Sequence, residues 1–206
     1  MQKKNSIEKI VLTGGPCAGK STCLQAIKER YDDVLVVPEV ATILLSGGFP
    51  VPGRDLPWSA DWQSAFQAAV AKTQQSLEQA YELVAQNCGA RLLVCDRGLL
   101  DGAAYTPGGT AEFCRLYQVD QAQTQQQYAK VLHLESLATA RPELYGKTGN
   151  QNRFESLDEA QALEGRTRAA WSDHPGWTFI PGNAGIEAVK SQVLAAIDSL
   201  LVSAAA

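Results

Sequence analysis

Ile10-Val11-Leu12-Thr13-Gly14-Gly15-Pro16-Cys17-Ala18-Gly19-Lys20-Ser21-Thr22 is the stretch from which the fold follows. Its first four residues are apolar or β-branched and stop at two glycines, the pattern of a short buried strand ended by a turn. Gly14 to Ser21 then match G-x-x-x-x-G-K-[ST] in full. Residues from about 19 to 30, with Leu24 and Ile27 facing inward, read as a helix. A glycine-rich loop between a strand and a helix is the context that gives the pattern its meaning. Its glycines let the backbone wrap a phosphate, and its N–H groups form an anion nest at the positive end of the helix. Gly14, Gly15, Pro16, Cys17, Ala18, Gly19, Lys20, Ser21 and Thr22 are therefore expected to hold a nucleoside triphosphate. Lys20 would reach the β- and γ-phosphates and the Ser21 hydroxyl would ligate Mg²⁺. Cys17 reads as a small filler residue, in a place where positive potential would lower a thiol's pKa.

Outward from this segment, Val34 to Val37 form a second apolar run that stops at Pro38, which has no N–H for a ladder. A Gly- and Pro-rich loop follows from Ser46 to Pro57. Trp62, Phe66, Ala69, Thr73, Leu77, Ala80 and Val84 then recur every three or four residues, which marks a helix of about 59–86. Leu92 to Cys95, Val131 to Leu134 and Trp177 to Ile180 read as further strands. Ser156-x-x-Glu159 fits a capping box opening a helix of about 157–171, and a last helix covers about 185–202. Gln121 to Gln127 read as a solvated helix face. Strands apolar along their whole length and separated by helices imply an α/β fold, with a five-stranded parallel sheet covered by helices on both faces.

The chain has 206 residues, 45% hydrophobic and 19% charged, which suits one domain over 1–206 with a mobile lid. The net charge of −4 argues against a nucleic-acid binder, which would carry a basic excess. The five cysteines are scattered, with no Cys-x-x-Cys or His/Cys cluster to suggest zinc. The start does not resemble a signal peptide, and no apolar run reaches the roughly 20 residues that span a bilayer. A reduced, cytoplasmic protein with free thiols is expected.

Asp96 follows four apolar strand residues, as a magnesium-holding carboxylate would, with a turn or N-cap aspartate as the plain alternative. Ligands in open α/β sheets bind outside the carboxyl ends of the strands, so Asp96 and the loop should converge. Arg97 suits bidentate contact with a phosphate or carboxylate. Glu39, in the matching place after the second strand, would accept a proton from an attacking hydroxyl or bind a sugar. The alternative is a surface glutamate. Between the last two strands lie Arg141, Lys147, Arg153, Arg166 and Arg168, with Gly146 to Asn150 suggesting a lid over about 141–155. Arg153 and Arg166 are the candidates to neutralise phosphate charge. Asn183 falls near where such folds hold a purine, in a segment that also reads as a simple turn.

Residues 12–22, 38–42 (Pro-Glu-Val-Ala-Thr), 46–50 (Ser-Gly-Gly-Phe-Pro), 95–105 (Cys-Asp-Arg-Gly-Leu-Leu-Asp-Gly-Ala-Ala-Tyr) and 153–160 (Arg-Phe-Glu-Ser-Leu-Asp-Glu-Ala) resemble a family of small AAA-labelled P-loop ATPases. That family is related to the ribosylnicotinamide kinase domain of the NadR regulator. The resemblance implies a P-loop kinase-like fold with ATP, or alternatively GTP, at 14–22. More distantly, Glu39 and Asp96-Arg97 are similar to the base or sugar ligand and the magnesium and substrate pair of deoxynucleoside and thymidylate kinases. Gln63 or Gln67 would then face a base. Gly98 departs from those kinases, which often carry a hydroxyl or aromatic residue there. The expected activity is transfer of the γ-phosphoryl of ATP to a small hydroxylated acceptor, nucleoside- or nucleotide-like. The acceptor would sit between the 46–62 loop and the long helix. The alternative is a regulatory ATPase or GTPase switch; no Asn-Lys-x-Asp guanine motif occurs.

Overall fold

The computed structural model describes residues 7–146 and 156–203. In chain order the elements are β1 (Glu8–Thr13), α1 (Lys20–Arg30), β2 (Val34–Val37), α2 (Val40–Ser46), α3 (Ala60–Cys88), β3 (Leu92–Asp96), a 3-10 segment (Leu99–Tyr105), α4 (Gly109–Tyr117), α5 (Gln121–Gln126), β4 (Lys130–Leu134), α6 (Leu137–Ala140), a 3-10 turn (Pro142–Leu144), α7 (Leu157–Trp171), β5 (Trp177–Ile180) and α8 (Ile186–Ser203). The five strands form one parallel sheet in the order β2-β3-β1-β4-β5. β1 is central: Val11 lies opposite Cys95 of β3 on one side and Val131 of β4 on the other.

Alternation along β1 divides the core. Ile10 and Leu12 pack with Leu24 and Ile27 of α1 and with Val193 and Ile197 of α8 on one face. Val11 packs with Ala71 of α3, with Leu100 and Phe113, and with Trp171 of α7 on the other. Because both faces are covered, β1 is buried from Lys9 to Thr13, and Ile10 to Leu12 form an apolar run rather than an alternation.

All five expected strands form, as do the four helices read from periodicity and capping. The box at Ser156 is present, with its hydroxyl accepting from the Glu159 amide and the Glu159 carboxylate accepting from the Ser156 amide. Asp120 caps α5, so the glutamine run is helical. Absent from the sequence reading were α2, the 3-10 segment Leu99–Tyr105 and α4. Of the expected lid over 141–155, residues 147–155, with Lys147 and Arg153, lie outside the described residues. No disulfide joins any of the five cysteines. Among the described residues no helix is long and apolar enough to cross a membrane.

Candidate functional site

The strand order brings the carboxyl ends of β1, β2, β3 and β4 together, and each delivers one part of a charged cluster. β1 runs into the glycine-rich loop. A Cβ on Gly14 would lie 2.1 Å from the Leu134 carbonyl oxygen, and its φ is +133°, so no side chain fits between the loop and β4. Cys17 adopts φ 59°, a left-handed backbone that the filler reading did not anticipate. α1 then starts at Lys20, with Gly19 as its cap and no side-chain acceptor on the first amides. Those amides are left for an anion.

Lys20 Nζ folds back to donate to the carbonyls of Gly14 at 2.8 Å and Gly15 at 3.0 Å. Burial, and after it the Arg97 guanidinium, push this ammonium down to about 8. Asp96 ends β3 with its Oδ1 buried and without a hydrogen-bond partner among the described residues. Burial, followed by the Glu39 charge, pushes its carboxyl up to about 6. A buried carboxylate oxygen left unpaired is costly unless a ligand meets it. Asp96 and Ser21, which is in the lining of the loop cavity, both offer hard oxygen donors, so the residues present fit a magnesium ion brought by a nucleotide.

Arg97 sits at φ 69° and joins three parts of the site. Its Nε donates to Glu39 Oε1 at 2.6 Å, and its Nη1 to Asp101 Oδ1 at 3.2 Å and the Gly14 carbonyl at 3.4 Å. Burial opposes the charge of Arg97, but the facing Tyr105, Asp101 and Glu39 outweigh it and hold the guanidinium charged. Glu39 also accepts from Thr42 Oγ1 at 2.6 Å. Burial works against its ionised form, yet Arg97 and Thr42 more than compensate and its pKa falls below the usual carboxylate value. Glu39 is therefore a fixed, ionised acceptor at the end of β2, not a surface glutamate.

Two carboxylates escaped the sequence reading. Asp101 is buried and accepts from Thr13 Oγ1 at 2.5 Å, the Gly98 amide at 2.9 Å and Trp171 Nε1 at 3.0 Å, in addition to Arg97. Glu164 of α7 accepts from the Gly15 amide at 2.6 Å and lies 2.8 Å from His133 Nε2. Burial disfavours its charge, but His133 and the loop amide outweigh that and lower its pKa. The other ring nitrogen of His133, Nδ1, is buried without a hydrogen-bond partner among the described residues. Asp101 lies inside a stretch whose resemblance was noted, but only the fold shows that four donors converge on it.

Two cavities flank Lys20 and Arg97. The first, about 480 Å³, is lined by the loop from Cys17 to Thr22, by Arg141 and Leu144, and by Gly182, Gly185 and Ile186 of the opposite rim. Asn183 is exposed in that rim's turn and is not among the lining residues. The second, about 170 Å³, has Glu39, Arg97 and Asp101 at its base and Trp62, Gln63, Phe66 and Gln67 of α3 on its wall. Trp62 and Phe66 stack at 5.0 Å with Phe49 against both. Gln67 is buried and its Oε1 has no partner among the described residues. Arg166 lines neither cavity; its Nε donates to the Ala104 carbonyl at 2.6 Å on the far side of the 3-10 segment.

These features are those of a P-loop nucleotide-binding domain. The family described as AAA domain matches over residues 9–185, which takes in β1, the loop, the charged cluster and β5. No curated protein matches the chain.

Proposed function

The chain belongs to the AAA domain family, and on that premise we propose that it is a phosphotransferase, moving the γ-phosphoryl of ATP to a small hydroxylated acceptor. ATP occupies the loop cavity, with its phosphates on the amides of the glycine-rich loop and its base toward Leu144 and Ile186. The observation that carries the reading is the second cavity. It is lined by the Glu39–Arg97 pair and not by the P-loop lysine, and it holds an amide oxygen on Gln67 with no partner among the described residues. A switch that only hydrolyses its nucleotide has no use for such a compartment.

The roles follow from the charges. Lys20 leaves the Gly14 and Gly15 carbonyls for the β- and γ-phosphates and carries positive charge to them. Ser21 and Asp96 would hold magnesium, which would supply neutralisation of phosphate charge. Arg97 lies between both cavities and is placed to hold the transferring group against the acceptor. Glu39 accepts a hydrogen bond from the acceptor hydroxyl and aligns it. A loose phosphoryl-transfer transition state asks for positioning more than for a strong base, so the low pKa of Glu39 is compatible with this task.

The test is release of ADP measured against a panel of nucleosides, nucleotides and vitamins. Acceptor-dependent release, lost in Glu39→Ala, is expected. A slow rate that no acceptor alters would overturn the reading in favour of a regulatory NTPase.

A further inference from the structure

Beside the 170 Å³ compartment lies a larger one, about 410 Å³, bounded by α3, the end of the 3-10 segment, α4 and α7. Gln63 and Tyr105 line both, so the two are neighbours on either side of that shared wall. The outer walls are apolar and aromatic, with Leu116, Tyr117, Pro107 and Trp58; Trp58 stands 65% exposed at the mouth. Among the described residues the one charged residue in the lining is Arg166. Its Nε is fixed by the Ala104 carbonyl, and among the described residues no carboxylate pairs with it. The guanidinium is thus aimed by the fold and, among the described residues, left without a counter-ion.

Volume decides how the two spaces are used. Small-molecule sites run from about 300 to 1,000 Å³, so the inner compartment alone takes little more than the reacting end of a ligand. Both compartments together fall within the range. We propose that the outer cavity is the second half of the acceptor site, and that the acceptor is an organic anion whose apolar or aromatic body ends in one acid group paired with Arg166. This rests on the acceptor reading above. Its hydroxyl end lies at Glu39 and Arg97, its body crosses between Gln63 and Tyr105, and its acid end reaches Arg166. Such a site separates the acid from the γ-phosphate, so the two negative charges do not meet.

The experiment uses the full chain and two dyes that differ by one acid group, 8-anilinonaphthalene-1-sulfonate and the neutral N-phenyl-1-naphthylamine, titrated by fluorescence. Arg166→Gln is expected to weaken the sulfonate dye about tenfold, the effect of one charged contact, and to leave the neutral dye within about twofold. Retained neutral-dye binding also reports that the variant cavity is intact. Ser64→Trp, which fills the cavity from α3, should weaken both dyes. Saturating ATP with Mg²⁺ should displace neither. Equal affinity of the sulfonate dye for wild type and Arg166→Gln would overturn the proposal, as would its displacement by ATP with Mg²⁺. None of these readouts needs phosphoryl transfer. A failed acceptor screen therefore removes the kinase reading alone, and a failed dye test removes the anion subsite alone.

Discussion

Asp96 and Lys20 are held in states that the fold by itself disfavours. Asp96 is raised from 3.8 to about 6 and Lys20 is lowered from 10.5 to about 8, in each case chiefly by burial. The signs for stability are opposite. Between pH 3.8 and 6 the native Asp96 binds more protons than the unfolded one, so its ionisation lowers stability as pH rises through that window. Between pH 8 and 10.5 the native Lys20 binds fewer, so stability rises there as the lysine discharges. At neutral pH the ligand-free site carries both penalties, and a magnesium nucleotide relieves both. Asp96→Asn should therefore stabilise the nucleotide-free protein at pH 7 by about 2–3 kcal/mol, read as a higher melting temperature. The same change should cut turnover by a factor on the order of 10². A variant neither more stable nor slower would return Asp96 to a turn residue. For the wild type, kcat/KM should fall on the acid side near pH 6 and on the alkaline side near pH 8, since the free enzyme needs Asp96 ionised and Lys20 charged. A flat profile between pH 5 and 9 would contradict that assignment. Asp96, Arg97 and Glu39 were legible because each stands just past an apolar run, where adjacency in sequence is adjacency to the site, and Lys20 because it completes the G-x-x-x-x-G-K-[ST] pattern. Asp101 and Glu164 were not, because their meaning lies in partners 88 and 149 residues away.

Among the elements, α7 and the 3-10 segment Leu99–Tyr105 do the coupling. α7 starts at a capping box, grips the loop through Glu164 and ends on Trp171, whose Nε1 donates to Asp101. A Cβ on Gly98 would lie 2.7 Å from both the Trp171 ring and Val11, so this position is glycine for packing. α7 was readable from its box and its periodicity. The 3-10 segment was not, since Leu99, Leu100, Asp101, Gly102, Ala103 and Ala104 are all buried and show no polar face. α2 is only seven residues long and begins directly after Pro38-Glu39, and α4 opens on two glycines with no capping side chain. Both lack the signals by which a helix is recognised. Asp101→Asn tests the coupling. It would turn an N–H₂ toward one or more of four donors and remove the charge facing Arg97. The expected loss is about 3–5 kcal/mol, the cost of breaking a buried ion pair, measured as a lower urea midpoint. A loss under about 1 kcal/mol would mean that Asp101 contributes no more than a surface pair does.

At the scale of the whole molecule, the loop cavity takes its walls from distant parts of the chain: the P-loop and α1, the segment from Glu135 to Leu144 after β4, and the turn and helix after β5. A ligand there bridges segments that separate on unfolding, so its binding free energy should appear in global stability rather than in local ordering. For a ligand at about 100 times its Kd the gain is about 2.7 kcal/mol. In a chain of 206 residues that corresponds to a rise in melting temperature of roughly 5–11 °C. ATP with Mg²⁺ should produce this rise, and ATP with a chelator should produce less, because Ser21 and Asp96 then contribute nothing. Lys20→Ala should melt no lower than wild type without nucleotide, since it removes a buried ammonium whose hydrogen bonds, among the described residues, are to two carbonyls of its own loop. With ATP and Mg²⁺ the variant should gain far less than wild type. Two results separate the explanations. A variant that melts much lower without ligand would show that Lys20 holds the loop together. A variant that gains as much as wild type would show that the loop amides alone bind the nucleotide, and the central place given to Lys20 would be lost.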